Sequence, residues 1–243
     1  MTEEELLALK FGNGTVADNI QRAVDAGHLV REQDGRLRLT SVPSSRTNWV
    51  IISHGPSLDC QFKARFLFPH VYAEAAVPFG CSGCYKVKVA PRTLRELVAV
   101  WGVGKRIECY SKWGVDLDNP YSGDIYAGYF YTVGLEGARA TYRVVREIID
   151  AHPLLGPGVA MSIKRGCSEY EAALGPSDRY SFAPELEELE AYLRTRFHKA
   201  TLEGVPPLPM AHWIDVAFRI GDETYLDFTH GKRLRPKTVA YEP

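Results

Sequence analysis

The chain has 243 residues, enough for one large domain or a domain with an appendage, and enough to bury a sizeable core. Hydrophobic residues make up 45% and charged residues 24%, ordinary globular values, and the formal net charge of −1 gives no global electrostatic case for nucleic acid or an anionic membrane. The amino terminus, MTEEELLALK, lacks the basic-then-apolar layout of a secretory signal, and no apolar run approaches the roughly 18 residues of a bilayer span, so a soluble, cytoplasmic protein is expected.

Residues 1–41 read as a small helix and hairpin cap. A short helix is expected over 3–10. Thr15-Val16-Ala17-Asp18 makes a capping box with Asp in place of Glu, opening a helix to about Ala26 that Gly27 stops. The run from His28 to Thr40 reads as a hairpin turning at Asp34-Gly35. Two helices and a hairpin suggest a degenerate winged helix, but that fold needs a third helix, so a cap packed on the main domain is the plainer reading. The segment 41–46, Ser-Val-Pro-Ser-Ser-Arg, is the expected linker, and residues 47–243 form the main domain.

That domain opens with a buried strand over 48–53 and a loop from His54 to Cys60. The apolar run 62–68 fits helix or strand. From Cys84 the pattern becomes regular. Tyr85, Val87 and Val89 alternate with Lys86 and Lys88, the mark of a strand buried on one face. Thr93 to Glu96 is a capping box, and Leu94, Leu97, Val98 and Trp101 follow at helical spacing until Gly102 and Gly104. A second strand is expected over 105–111, then a loop holding Asn119-Pro120 and Tyr121. The aromatic-rich run 125–133 is a third strand. A helix over 136–151 and a fourth strand through Val159, Met161 and Ile163 complete the unit. The predicted class is α+β, with a ferredoxin-like βαββαβ core and sheet order 4-1-3-2. A charged helix over 184–199, a stiff connector Pro206-Pro207-Leu208-Pro209 and a final hairpin over 212–228 turning at Gly221-Asp222 are expected after it.

The chemistry concentrates on cysteine. Five of them, Cys60, Cys81, Cys84, Cys109 and Cys167, in a chain with no export signal point to metal or redox work rather than disulfides. In the predicted topology the first strand begins after Cys84, and its antiparallel neighbour ends before Cys167. The start of one and the end of the other lie at the same sheet edge, so Cys81, Cys84 and Cys167 should converge. Cys60, in a loop, is the preferred fourth partner. Cys109 alternates in phase with Ile107 and reads as a buried small hydrophobe, with a role as alternative fourth ligand. A thioredoxin-like pair would place its first thiol at a helix amino terminus, whereas Cys84 leads into a strand.

Converging thiolates hold either an iron–sulfur cluster or tetrahedral zinc. The zinc pattern of two short knuckles is absent. Ligands scattered through the chain, among Phe79, Gly80, Gly83, Tyr85 and Gly166, suit a [4Fe-4S]-type cluster at the edge of a larger fold. Two uses follow. With three ligands, an open iron acts as a Lewis acid on a small-molecule substrate, giving lyase, dehydratase or desulfurase chemistry, with Lys164, Arg165 and Glu169 as candidate orienting or acid–base groups. With four ligands the site closes, and the protein is an electron-transfer, accessory or regulatory subunit serving a redox partner. A structural zinc site is the third alternative. Tyr126, Phe130, Trp113 and Tyr121 either line a pocket or pack against a neighbouring domain or subunit. No phosphate-binding loop or dinucleotide fingerprint is present.

Overall fold

The computed structural model describes residues 1–40, 49–54, 58–117, 123–198, 209–235, 239 and 241. The expected 41–46 linker, Asn48, part of the loop before Cys60, Asn119-Pro120, Tyr121 and most of the 206–209 connector lie outside them.

Helix α1 spans Glu3–Leu7, and the bridge strands β1 (Lys10–Phe11) and β2 (Gly14–Thr15) lead into α2 (Val16–Asp25). The Thr15–Asp18 capping box forms in both directions, satisfying two backbone amides that a helix start leaves open. Strands β3 (Leu29–Arg31) and β4 (Leu37–Leu39) make the expected hairpin. The apolar residues of this segment do not close a core alone. Val16, Ile20, Leu29 and Leu39 share one with Phe62, Phe66, Leu189 and Leu193 from later in the chain.

Strand β5 covers Trp49–Ile52. The ambiguous run becomes a π-helix over Gln61–Val71, whose wider turn shows in the bond from Tyr72 N to Leu67 O at 2.8 Å. After a 3₁₀ turn at Phe79–Cys81 come β6 (Cys84–Ala90), α3 (Leu94–Gly104), β7 (Ser111–Val115), β8 (Tyr126–Val133), α4 (Gly134–Asp150) and β9 (Ala160–Arg165). The sheet runs β5-β7-β8-β6-β9, and each neighbouring pair is antiparallel. Val87, Val89, Trp113 and Phe130 point to one face and build the main core with α3 and α4. The fold class is α+β.

Two expected elements are corrected. The second strand starts at Ser111 rather than 105, because residues 105–110 fold into successive tight turns after α3. Packing explains the shift. Trp113 pairs with Gly128, and a Cβ at Gly128 or Gly104 would collide with its indole, so strand and register are set where the large ring meets two glycines. The expected C-terminal hairpin is helical. After α5 (Ser168–Leu174), α6 (Pro184–Thr195) and β10 (Phe197–His198), α7 spans Pro209–Ile220 and a 3₁₀ helix spans Glu223–Phe228. Trp213, Val216 and Ala217 recur at helical spacing and are buried, while Gly221 at φ 79° ends the helix. Helix α6 stops at Thr195 rather than 199, and β10 pairs in parallel with β4.

Candidate functional site

The β6–β9 register decides where the thiols meet. Tyr85 pairs with Arg165, and Gly166 N donates to Cys84 O at 2.9 Å, so Cys167 leaves β9 beside Cys84. Gly166 turns the chain at φ 64°, a region an L side chain rarely adopts, and Cys167 is the N-cap residue of α5. Cys81 closes the 3₁₀ turn and Cys84 opens β6. Cys60 stands before the π-helix with its residue surface exposed. Cys60, Cys81, Cys84 and Cys167 line one cavity of about 280 Å³. Among the described residues, no three His, Cys, Asp or Glu side chains are gathered closely enough to hold a metal ion as they stand.

The same cavity is lined by two lysines that the cysteine pattern did not single out. Lys86 is buried, and its Nζ donates to Cys167 Sγ at 3.2 Å and sits 5.1 Å from the centre of the Tyr131 ring. Burial works against its charge, but Cys167, Tyr131 and Cys84 raise its pKa well above the ordinary lysine value. Lys63 donates to Gly80 O at 3.2 Å. Among the described residues no carboxylate lines the cavity. Period two along β6 places Lys86 on the same face as Cys84, so the sequence held the signal for it. For Lys63 the signal was weaker, a spacing of three residues from Cys60 within an apolar run.

Burial raises every lining thiol for which a shift is resolved. Desolvation pushes Cys81 up to about 12, opposed by Lys63 and by the Tyr170 hydroxyl 3.6 Å away. Cys84 and Cys60 are raised for the same first reason.

A buried carboxylate and a half-buried guanidinium hold the Cys81–Cys84 loop. The Glu190 carboxylate accepts from the Phe79 and Gly80 amides and from Tyr72 Oη at 2.9 Å. Arg165 reaches the far side, donating to Ser82 O at 2.9 Å and to Ser177 O at 3.2 Å. Arg165 therefore shapes the loop and does not line the cavity. Lys164 bonds to Ser168 Oγ at 2.8 Å and pairs with Glu171 at 2.5 Å, and Glu169 is exposed on α5; neither borders the cavity. Cys109 lies in the turns before β7, where its Sγ donates to Tyr131 O at 3.1 Å, and it packs against the main core rather than the cavity. Trp113, Tyr126 and Phe130 are core residues. No helix of the described residues is long and apolar enough to cross a membrane.

No family model matches this chain, and no curated protein and no solved structure is significantly similar to it.

Proposed function

We propose that the cavity binds an iron–sulfur cluster of the [4Fe-4S] type through Cys81, Cys84, Cys167 and Cys60. The observation that carries this reading is the convergence of four cysteines from separate parts of the chain on one cavity whose other charged groups are Lys63 and Lys86. A thiolate-bound metal centre is an anion, and two ammonium groups with no carboxylate in the lining supply its countercharge. Spaced thiols favour a cluster over zinc. Zinc–sulfur bonds of about 2.3 Å demand that four sulfurs close on one point, whereas a cluster fills the volume between them.

The unit from β6 to β9 is read as ferredoxin-like, with β5 added beside β7; the order β9-β6-β8-β7 and the two helices on one face support it. Residues 1–41 act as a cap on the 47–243 domain. A reducing, cytoplasmic setting suits the free thiols, and the bound cluster serves either a small-molecule substrate or a redox partner.

The test is iron, zinc and acid-labile sulfide content, with a visible spectrum, on protein purified without oxygen. About four irons and four sulfides per chain with broad absorption near 400 nm supports the reading. One colourless zinc per chain overturns it.

A further inference from the structure

A second cavity, of about 450 Å³, opens between β1, residues 75–77, the end of α5 and the start of α6. It shares no lining residue with the thiol cavity, so what it binds is independent of the cluster reading. Its volume falls in the range of small-molecule sites, about 300–1,000 Å³. The wall is apolar, built from Leu9, Phe11, Val77, Leu174 and Leu186, of which Val77 and Leu186 are buried.

Local structure sets these side chains in place. Phe11 packs against the buried ring of Tyr72, with centroids 4.8 Å apart. The chain enters 75–77 through two consecutive left-handed residues, Ala73 at φ 46° and Glu74 at φ 60°. Glu74 N donates to Phe68 O at 2.9 Å and pins that turn. Leu174 ends α5 before Gly175 at φ 83°, and a 3₁₀ turn over Ser177–Arg179 follows. Arg165 ties that turn to β9 by donating to Ser177 O at 3.2 Å.

Two charged groups stand in the lining, the Arg179 guanidinium and the Glu185 carboxylate, and both residues are exposed. Among the described residues neither side chain has a hydrogen-bond or ion-pair partner, and they do not pair with each other. A simple anion would be drawn to Arg179 and repelled by Glu185, and a simple cation would meet the reverse. A molecule carrying both charges and a hydrocarbon body suits all three features of the lining.

We propose that this cavity binds a free α-amino acid with an apolar side chain. Its carboxylate meets the fork of Arg179, a geometry suited to paired hydrogen bonds. Its ammonium group faces Glu185, and its side chain lies on the wall of Leu9, Phe11, Val77 and Leu186.

The experiment is a ligand-observed NMR titration of the full chain with L-phenylalanine and L-leucine. Two truncated probes accompany them: 3-phenylpropanoate, which lacks the ammonium group, and 2-phenylethylamine, which lacks the carboxylate. Wild type is expected to bind L-phenylalanine about tenfold more tightly than either truncated probe. Arg179→Gln should weaken L-phenylalanine and 3-phenylpropanoate about tenfold and leave 2-phenylethylamine unchanged. Glu185→Gln should weaken L-phenylalanine and 2-phenylethylamine by a similar factor and spare 3-phenylpropanoate. Both positions are exposed, so neither substitution disturbs the core. If neither amino acid binds, or if 3-phenylpropanoate binds wild type as tightly as L-phenylalanine, the inference fails. Unchanged L-phenylalanine binding in both variants also overturns it, because the two charges would then not face the ligand.

Discussion

The ammonium group of Lys86 stands 3.2 Å from the thiol of Cys167, inside the protein, on adjacent antiparallel strands' ends rather than in any local motif. A buried ammonium costs several kcal/mol unless a negative group answers it. Lys86 pairs with no carboxylate among the described residues, and its hydrogen-bond partner is the sulfur of Cys167.

Replacing Lys86 by Met should therefore act in opposite directions on the two forms of the protein. The metal-free form should lose nothing or gain stability in urea, because an isosteric apolar chain replaces a desolvated cation. If the cavity binds the proposed cluster, the loaded form should become harder to reduce, its potential falling by on the order of 60 mV if the lost interaction is worth a factor of ten. Paired denaturation curves and a redox titration check this; an unchanged potential would mean that Lys86 does not face the bound centre.

Glu190 is the second test. Burial raises its pKa, against bonds from Gly80, Tyr72 and Phe79 that favour the carboxylate. Glu190→Ala would strand two amides of the cysteine loop and a buried hydroxyl, costing about 2–4 kcal/mol. On the cluster reading proposed above, iron per chain should fall with it, whereas Glu190→Gln, which keeps an acceptor, should recover part of both.

Thiol reactivity in the metal-free protein should follow exposure. Iodoacetamide should label Cys81, the buried cysteine, last, as read by peptide mass spectrometry. The same burial gives a pH dependence. Cys81 is raised from the free-thiol value of 9.0 to about 12, so the folded state favours the neutral thiol. That contribution is fully present below pH 9 and is lost as pH rises through about 12. Cys81→Ala should flatten the alkaline decline in melting temperature.

Asp222 joins the C-terminal segment to the sheet domain. Its carboxylate accepts from Leu94 N at 2.6 Å, at the start of α3, and from Tyr126 Oη at 2.8 Å and Thr224 N at 3.0 Å. Desolvation opposes the charge, yet these bonds hold its pKa below the ordinary carboxylate value of 3.8. Asp222→Ala should cost about 1–2 kcal/mol, as expected for losing a helix cap. The wild-type contribution is present above pH 3.8 and lost as pH falls through the lower folded value, so the two proteins should converge in strong acid. Thermal melts at pH 7 and pH 2.5 decide it.

The β3–β4 hairpin, the helices α2, α3 and α4 and the strands around Cys84 and Ile163 were legible in the chain because capping residues, turn residues and period-two or period-3.6 burial are local signals. Trp213, Val216 and Ala217 were equally legible as a helix, and were misread because Gly221-Asp222 also suits a hairpin turn. The start of β7 was not legible. It depends on the collision of Trp113 with anything larger than glycine at 104 and 128, a contact between residues distant in sequence.

The candidate site divides in the same way. Sequence alone determined that five cysteines were present, that Cys81 and Cys84 preceded a strand and that Cys167 followed one, and from the predicted topology it led to the expectation that these three converge, with Cys60 preferred as their fourth partner. Only the tertiary structure decided that Cys60 lines the same cavity, that Cys109 turns toward Tyr131, and that Lys86 and Lys63 line the cavity with the thiols. Strand periodicity is written in neighbouring residues, but the facing of a cavity is set by pairing register and by loops whose anchors, Glu190 and Arg165, lie about a hundred residues away in the chain.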